Sequence, residues 1–113
     1  MIKVVIAKLK SKQEKFEELK KFLQEKVPEA RKYNGCREAH ACVDEDDKAV
    51  VLYEVWNSED DHKKYVAWRK EQGVHDTISS MLRDRSFKYH SYLVWKIIRG
   101  VLLPGALNLS SLN

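Results

Sequence analysis

The segment Ala49 to Arg69, AVVLYEVWNSEDDHKKYVAWR, decides the fold. It opens with eight mostly apolar residues, several of them β-branched or aromatic, ending at Trp56, which is typical of a buried strand. Asn57-Ser58 then breaks the strand, and Ser58 with Asp61 three residues later is a helix N-cap signal. The segment therefore predicts a strand that leads directly into a helix with an aromatic stripe.

The residues before this segment predict a hairpin. Cys36 to Val43 reads as a strand, and Asp44 to Lys48 as its polar loop. If Val43 pairs with Ala49, one face holds Arg37, Ala39, Ala41, Val51, Tyr53 and Val55, and the other holds Cys36, Glu38, His40, Cys42, Val50, Leu52, Glu54 and Trp56. The first, more apolar face is expected to pack against helices. A slip of one residue would exchange the faces, so this register is provisional.

The remaining segments complete the pattern. Ile2 to Lys10 predicts a central strand, and Ser11 to Glu14 has the form of a capping box that opens a helix with an apolar stripe. Val74 to Arg85 predicts a short helix, and Phe87 to Trp95 a last strand.

The order strand, helix, strand, strand, helix, strand is the ferredoxin-like split βαβ pattern of an α+β protein. It predicts one domain over residues 1–95, with a four-stranded antiparallel sheet and helices on one face. The open face of such a sheet needs a cover, so we expect a homodimer in which two sheets close a dimeric α+β barrel. Residues 96–113 form a C-terminal tail that is expected to pack on the barrel or on the partner.

Composition limits the function classes. The chain has 113 residues and a formal charge of +4, with basic and acidic residues interspersed, which indicates solvated surfaces rather than a nucleic-acid site. No signal-peptide pattern and no apolar run of the ~20 residues that a membrane span requires is present, so a cytoplasmic protein without membrane attachment is expected. Cys36 and Cys42 would lie about 20 Å apart on one strand, which predicts reduced, buried or half-buried thiols.

The end of the predicted return strand resembles the antibiotic biosynthesis monooxygenase domain. The resemblance rests on LYEVWNSEDD, with Glu54, Trp56 and Ser58 in the family's pattern, and on Asn34-Gly35-Cys36 before the second strand. It covers about residues 2–95. It implies the dimeric barrel fold and oxygenation of quinol-like or polycyclic aromatic substrates without a metal or flavin cofactor.

That chemistry needs an aromatic-lined pocket and a proton acceptor. The expected proton acceptors are His75 and Glu54. Glu54 is a candidate because an unpaired buried carboxyl has a raised pKa. The residues expected to bind a small aromatic ligand are Tyr53, Trp56, Tyr65 and Trp68. His62, among charged residues, is expected to be solvated, and His40 to be a sheet or interface residue.

Two alternatives stay open. The family resemblance includes haem-degrading members, and ungapped counting from Trp56 puts an aromatic at Tyr65 and a haem-ligand position at His75, but Ala7 where those members carry Asn. The other alternative is a non-catalytic dimeric ligand-binding domain. A zinc site is excluded because Cys36 and His40 would be about 13 Å apart along the strand.

Overall fold

The computed structural model describes residues 1–93, 97–98 and 101–102. The elements in chain order are β1 (Lys3–Ser11), a 3₁₀ turn (Gln13–Lys15), α1 (Phe16–Ala30), β2 (Cys36–Asp44), β3 (Ala49–Trp56), α2 (Glu59–Glu71), α3 (Val74–Met81), β4 (Leu82–Ser91), β5 (Ile97–Ile98) and β6 (Val101–Leu102). The first four strands form one antiparallel sheet in the order β2-β3-β1-β4, and β5 pairs with β6. This confirms the predicted α+β, ferredoxin-like fold.

The main core lies between α1 and the helix-facing side of the sheet. Leu19 and Leu23 of α1 are buried against Leu9 and Val50, which are opposite each other on the two central strands. Met81 at the end of α3 closes the same cluster. Each fully buried aliphatic side chain contributes roughly 1.5–3 kcal/mol, so this layer fixes how α1 sits on the sheet.

The predicted hairpin register is wrong by one residue. Val43 pairs with Val50 instead of Ala49, because β2 continues through Asp44 and the loop is correspondingly short. The Asp44 carboxylate accepts a hydrogen bond from the Asp47 amide at 3.1 Å, and Lys48 takes a left-handed conformation that closes the turn.

The corrected register redistributes the faces of the hairpin. Ala39 is now opposite Glu54, and both face the helices, whereas Tyr53 is opposite His40 on the other side of the sheet. A shift in register between Cys36 and Glu38 accommodates the extra residue at the start of β2. The predicted grouping of Tyr53 with the helix-facing residues is therefore wrong.

The predicted capping box at the start of α1 is also wrong. Ser11 is the last residue of β1 and is fully buried. Its amide and its hydroxyl both donate to the Lys48 carbonyl, at 2.9 and 2.8 Å. The helix instead begins at Phe16, after a 3₁₀ turn without a side-chain cap.

The boundary between α3 and β4 lies earlier than the sequence indicates. The helix ends at Met81, and β4 runs from Leu82 to Ser91, because its first residues already pair with the end of β1. The predicted strand end at Trp95 and the packing of the tail fall outside the described residues, apart from the pairing of β5 with β6.

The face of the sheet away from the helices carries apolar residues. Val4 and Val55 are buried there, whereas Ile6 is exposed. The closure of this face by a second copy of the chain stays a prediction. No helix in the described part of the chain is long and apolar enough to cross a membrane.

The N-terminal end of α2 is held by Gly35. The Gly35 carbonyl accepts a hydrogen bond from the Asn57 amide at 2.8 Å, and the Ser58 hydroxyl accepts one from the Asp61 amide at 3.1 Å, as the cap signal predicts. Gly35 has φ of +95°, and a Cβ built there would lie 2.6 Å from Cγ of Asp61. Glycine is needed here for both the backbone angle and the space.

The C-terminal end of α2 is held by Arg69, which is buried. Its guanidinium donates to the Tyr65 hydroxyl, the Glu29 carboxylate, the Gln72 side chain and the Lys26 carbonyl, at 2.8 to 3.2 Å. Two of these partners belong to α1. This group, called the Arg69 clamp below, therefore ties α2 to α1.

Substituting Gly35 with alanine is expected to destabilise the protein by roughly 2–4 kcal/mol, because the positive φ and the contact with Asp61 both oppose a side chain. The free energy of unfolding from urea titrations measures the loss. In an Asp61→Gly background, which removes the Cβ of residue 61 as well as its carboxylate, the same change is expected to cost only about 1–2 kcal/mol, since the backbone strain alone remains. Equal costs in both backgrounds would contradict the proposed contact.

The Arg69→Lys variant is expected to lose roughly 2–4 kcal/mol of unfolding free energy, because an ammonium group cannot reach the partners of a planar guanidinium. The matched control is Lys64→Gln, an exposed charge on the same helix, which is expected to change stability by less than about 0.5 kcal/mol. A loss for Arg69→Lys no larger than that of the control would refute the clamp.

Candidate functional site

A cavity of about 560 Å³ lies between the helices and the sheet. Apolar side chains of the sheet and of α2 and α3 make up most of its wall, including Val5, Ala7, Leu52, Val66, Ile78 and Phe87. Its size is within the range of sites that bind small organic molecules.

Glu54 is the acidic group in the lining of the cavity. It lies in the middle of β3, is only 7% exposed, and its Oε1 accepts the indole N–H of Trp56 at 2.9 Å. Burial raises the pKa of the Glu54 carboxyl, although the Trp56 hydrogen bond and the charge of Arg69 act in the opposite direction. Glu54 therefore retains its proton at higher pH than an exposed glutamate would.

His62 is the second buried polar group, and the expectation that it is solvated is wrong. It is 7% exposed, its Nδ1 lies 2.8 Å from the Tyr89 hydroxyl, and its Nε2 lies 3.8 Å from Oε1 of Glu54. Burial lowers its pKa to about 4, although the charge of Glu59 opposes this shift. His62 is therefore uncharged at neutral pH.

Glu54, His62 and Tyr89, called the proton cluster below, can exchange protons with a ligand. Burial raises the pKa of the Tyr89 phenol, so it stays protonated and shares a hydrogen bond with the imidazole. An uncharged imidazole has one nitrogen that can accept a proton. The cluster can thus form hydrogen bonds with a ligand hydroxyl that enters the cavity.

Tyr65 contributes a rigid wall of the cavity. Burial raises the pKa of its phenol to about 12, against the hydrogen bond from Arg69. Its ring lies 5.0 Å from the ring of Trp56 and 5.4 Å from that of Tyr33, between centroids. The phenol is therefore held by packing and by the Arg69 clamp, and it stays protonated.

The structure brings together three of the six predicted site residues at the cavity wall, namely Glu54, Tyr65 and His75. Trp56 is fully buried behind the wall, and Trp68 stacks on the Arg69 guanidinium and on Tyr33 without lining the cavity.

Tyr53 points to the opposite face of the sheet. Its ring lies 6.2 Å from that of His40, which is hydrogen-bonded to Glu38 at 3.0 Å. Tyr53 cannot reach the cavity because it alternates along β3 with Leu52 and Glu54. The prediction that Tyr53 lines a pocket between helices and sheet is therefore corrected.

His75, near the start of α3, lines the cavity next to Arg85 of β4. Arg85 lies four residues along that strand from Tyr89 of the proton cluster. The Nε2 of His75 lies 2.8 Å from Nη1 of Arg85, so that nitrogen already accepts a hydrogen bond. A haem ligand needs a free imidazole nitrogen facing the cavity, and in this arrangement the guanidinium occupies it. Haem binding through Nε2 of His75 would require this hydrogen bond to break, and the haem alternative stays a prediction.

Other metal-binding features are limited. Cys36 and Cys42 are both free thiols, and Cys42 is exposed rather than buried. Within the described residues, no three His, Cys, Asp or Glu side chains are grouped as metal ligands.

Sequence reasoning missed His62, Phe87 and Tyr89. His62, Val66 and Arg69 follow helical spacing, which could have indicated an inward stripe. Phe87 and Tyr89 alternate along β4 and share its helix-facing side. The helical spacing of His62 with Val66 and Arg69 was overlooked because the sequence neighbours of His62 are charged.

The buried, uncharged state of His62 predicts a pH dependence of stability. Its folded-state pKa lies below the ordinary value of 6.5, so the unfolded chain binds more protons between pH 6.5 and about 4, and stability falls as the pH drops through that window. Over this range the wild type is expected to lose about 2–3 kcal/mol more unfolding free energy than His62→Gln. Glu54, whose raised pKa acts in the opposite direction, is present in both proteins. Parallel pH profiles of the two would refute the shift.

Comparison with known proteins shows which family the chain resembles. Residues 2–78 match the sequence model described as antibiotic biosynthesis monooxygenase. No curated protein sequence matches the chain.

Several solved structures share the fold. Rv0793 from Mycobacterium tuberculosis has a TM-score of 0.74 at 18% identity, over 83% of this chain and 97% of that one. A structure described as an antibiotic biosynthesis monooxygenase has a TM-score of 0.73 at 22% identity, over 83% and 100%. A conserved protein from Methanosarcina mazei Go1 has a TM-score of 0.71 at 18% identity, over 80% of this chain and 91% of that one. At these identities the structures show the common fold, and with the match over residues 2–78 we conclude that the chain belongs to the antibiotic biosynthesis monooxygenase family.

Proposed function

We propose that the protein is a monooxygenase that oxidises a small, electron-rich aromatic substrate of the phenol or quinol type, without a metal or flavin cofactor. The observation that carries the proposal is the proton cluster at the wall of an aromatic-lined cavity. Membership of the family supports the reaction class.

Binding would rest on the apolar wall. Phe87 and Tyr89 are 5.5 Å apart between ring centroids in an edge-to-face arrangement, and the ring of His62 lies 6.3 Å from that of Phe87. Aromatic rings at such distances favour a further ring packed against them. A flat aromatic ligand would be held there with its hydroxyl towards His62.

The chemical role of the proton cluster would be to remove the hydroxyl proton of the substrate. The resulting anion is electron-rich and reacts with dioxygen directly. An anthrone-type probe gives the same kind of anion by losing a proton of its ring methylene. One oxygen atom then replaces the two methylene hydrogens and the other leaves with those hydrogens as water, so anthrone and O₂ give anthraquinone and H₂O. The substrate supplies all four electrons, and the protein supplies the proton acceptor and a largely apolar cavity.

The proposal is tested by oxygen uptake with anthrone and with 1,4-naphthohydroquinone, on protein treated with a chelator. One O₂ is expected to be consumed per substrate, and ¹⁸O₂ is expected to place one labelled atom in the product. His62→Gln and Glu54→Gln are expected to lower kcat about 10²-fold or more, in the range of a lost general base.

The matched control is His40→Gln, because His40 is exposed on the opposite face of the sheet. Its kcat is expected to equal that of the wild type. Wild-type protein that binds both probes but consumes no oxygen above the buffer rate would refute the monooxygenase and favour a non-catalytic ligand-binding domain. Unchanged kcat in His62→Gln would refute the role of His62.

A further inference from the structure

The end of the cavity at Arg85 carries positive charge that no carboxylate of the described residues neutralises. Five cations line the cavity, namely Lys26, Lys63, Arg69, Lys70 and Arg85, against the single carboxyl of Glu54. The carboxyl of Glu54 is buried beside His62 at the far end of the same face. The cavity as a whole is therefore electropositive.

Three of these cations have carboxylate partners. Lys26 pairs with Glu29 at 3.7 Å, Arg69 with Glu29 at 3.0 Å, and Lys63 with Glu59 at 2.8 Å. Arg85 and Lys70 pair with no carboxylate among residues 1–93.

The one side-chain partner of Arg85 in the described part of the chain is an uncharged group. Its Nη1 donates to Nε2 of His75 at 2.8 Å. Burial, together with the charges of Arg85 and Lys70, lowers the pKa of His75, so the imidazole accepts this hydrogen bond without carrying a charge. The bond fixes the direction of the guanidinium and leaves its other N–H groups for a ligand.

The two polar ends of the cavity lie on one strand. Arg85, Phe87 and Tyr89 alternate along β4 and face the helices, opposite Leu9, Ala7 and Val5 of β1. Four residues of strand separate the α-carbons of Arg85 and Tyr89 by about 13 Å, and the Phe87 ring lies between them. Arg85 contacts His75 and Tyr89 contacts His62, so a ligand that reaches both ends needs a polar group at each end of an extended ring system.

We propose that the cavity takes an aromatic hydroxy acid, with its hydroxyl at His62 and Tyr89 and its carboxylate at the far end, bound by Arg85 and Lys70. This inference rests on the proposed function and deepens it by naming the substrate class. His75 is a positioning residue that orients Arg85. A guanidinium binds a carboxylate through two parallel hydrogen bonds, which suits a fixed ligand orientation.

The test is calorimetric titration of the chain with 6-hydroxy-2-naphthoate, its methyl ester and 2-naphthol. The three share the ring and the hydroxyl, and the ester keeps the shape of the acid without its charge. The acid is expected to bind about 10-fold or more tightly than either neutral compound, in line with charge-assisted hydrogen bonds. Arg85→Gln is expected to remove that preference and to leave the affinity for 2-naphthol within about 2-fold.

The matched control is Lys88→Gln, which removes one positive charge from the same strand on the opposite face. Its preference for the acid is expected to equal that of the wild type. Lys70→Gln provides a second variant in case Arg85→Gln does not fold, and it is expected to weaken binding of the acid alone.

The outcomes separate the two proposals. Equal affinities of the wild type for the acid and the ester, or equal loss of preference in Arg85→Gln and Lys88→Gln, would overturn the anion site and leave the proposed function intact. Binding of none of the three compounds would overturn both. Binding of the acid with the expected preference, but without oxygen uptake from any substrate, would support the anion site and count against the monooxygenase.

Discussion

The Arg69 clamp is the interaction on which the site depends. Within α2, the buried side chains are those of His62 and Arg69, and the ring of Tyr65 packs on that of Trp56 in β3. The two ends of the helix are held by the turn at Gly35 and by the Arg69 guanidinium, which reaches the Lys26 carbonyl of α1. The cavity lies beside these contacts, between the helices and the sheet.

The same arrangement sets the chemistry of the wall. A helix that packed closely on β3 would fill the space with aliphatic side chains and leave no room for Glu54 or His62. Both groups are instead buried at the wall of the cavity, where the cost of carrying a charge shifts the two pKa values in opposite directions. The result is a polar site that carries no permanent charge, while Arg85 places positive charge at the other end of the cavity.

The sequence predicted the element order because hydrophobic periodicity and turn residues report on local structure. It could not predict the pairing of Val43 with Val50, because the loop could close with either register and only the left-handed Lys48 decides between them. Glu54 was found as a mid-strand carboxyl without an obvious partner. The sequence did not indicate that His62 is buried, because its neighbours in sequence are charged. Its neighbours in space, Tyr89 and Trp56, come from other elements.

The position of β4 on β1 determines what the cavity can recognise. A register shift between Lys10 and Ser11 leaves one extra residue near Arg83, and from Asp84 onwards the pairing with β1 is regular. In that register Arg85, Phe87 and Tyr89 face the helices. A shift by one residue would present Ser86 and Lys88 instead, and the cavity would lose its aromatic floor and the partner of His62. Which β4 side chains face the cavity is therefore set at a bulge outside it, because the alternation of a strand carries one local irregularity along its whole length.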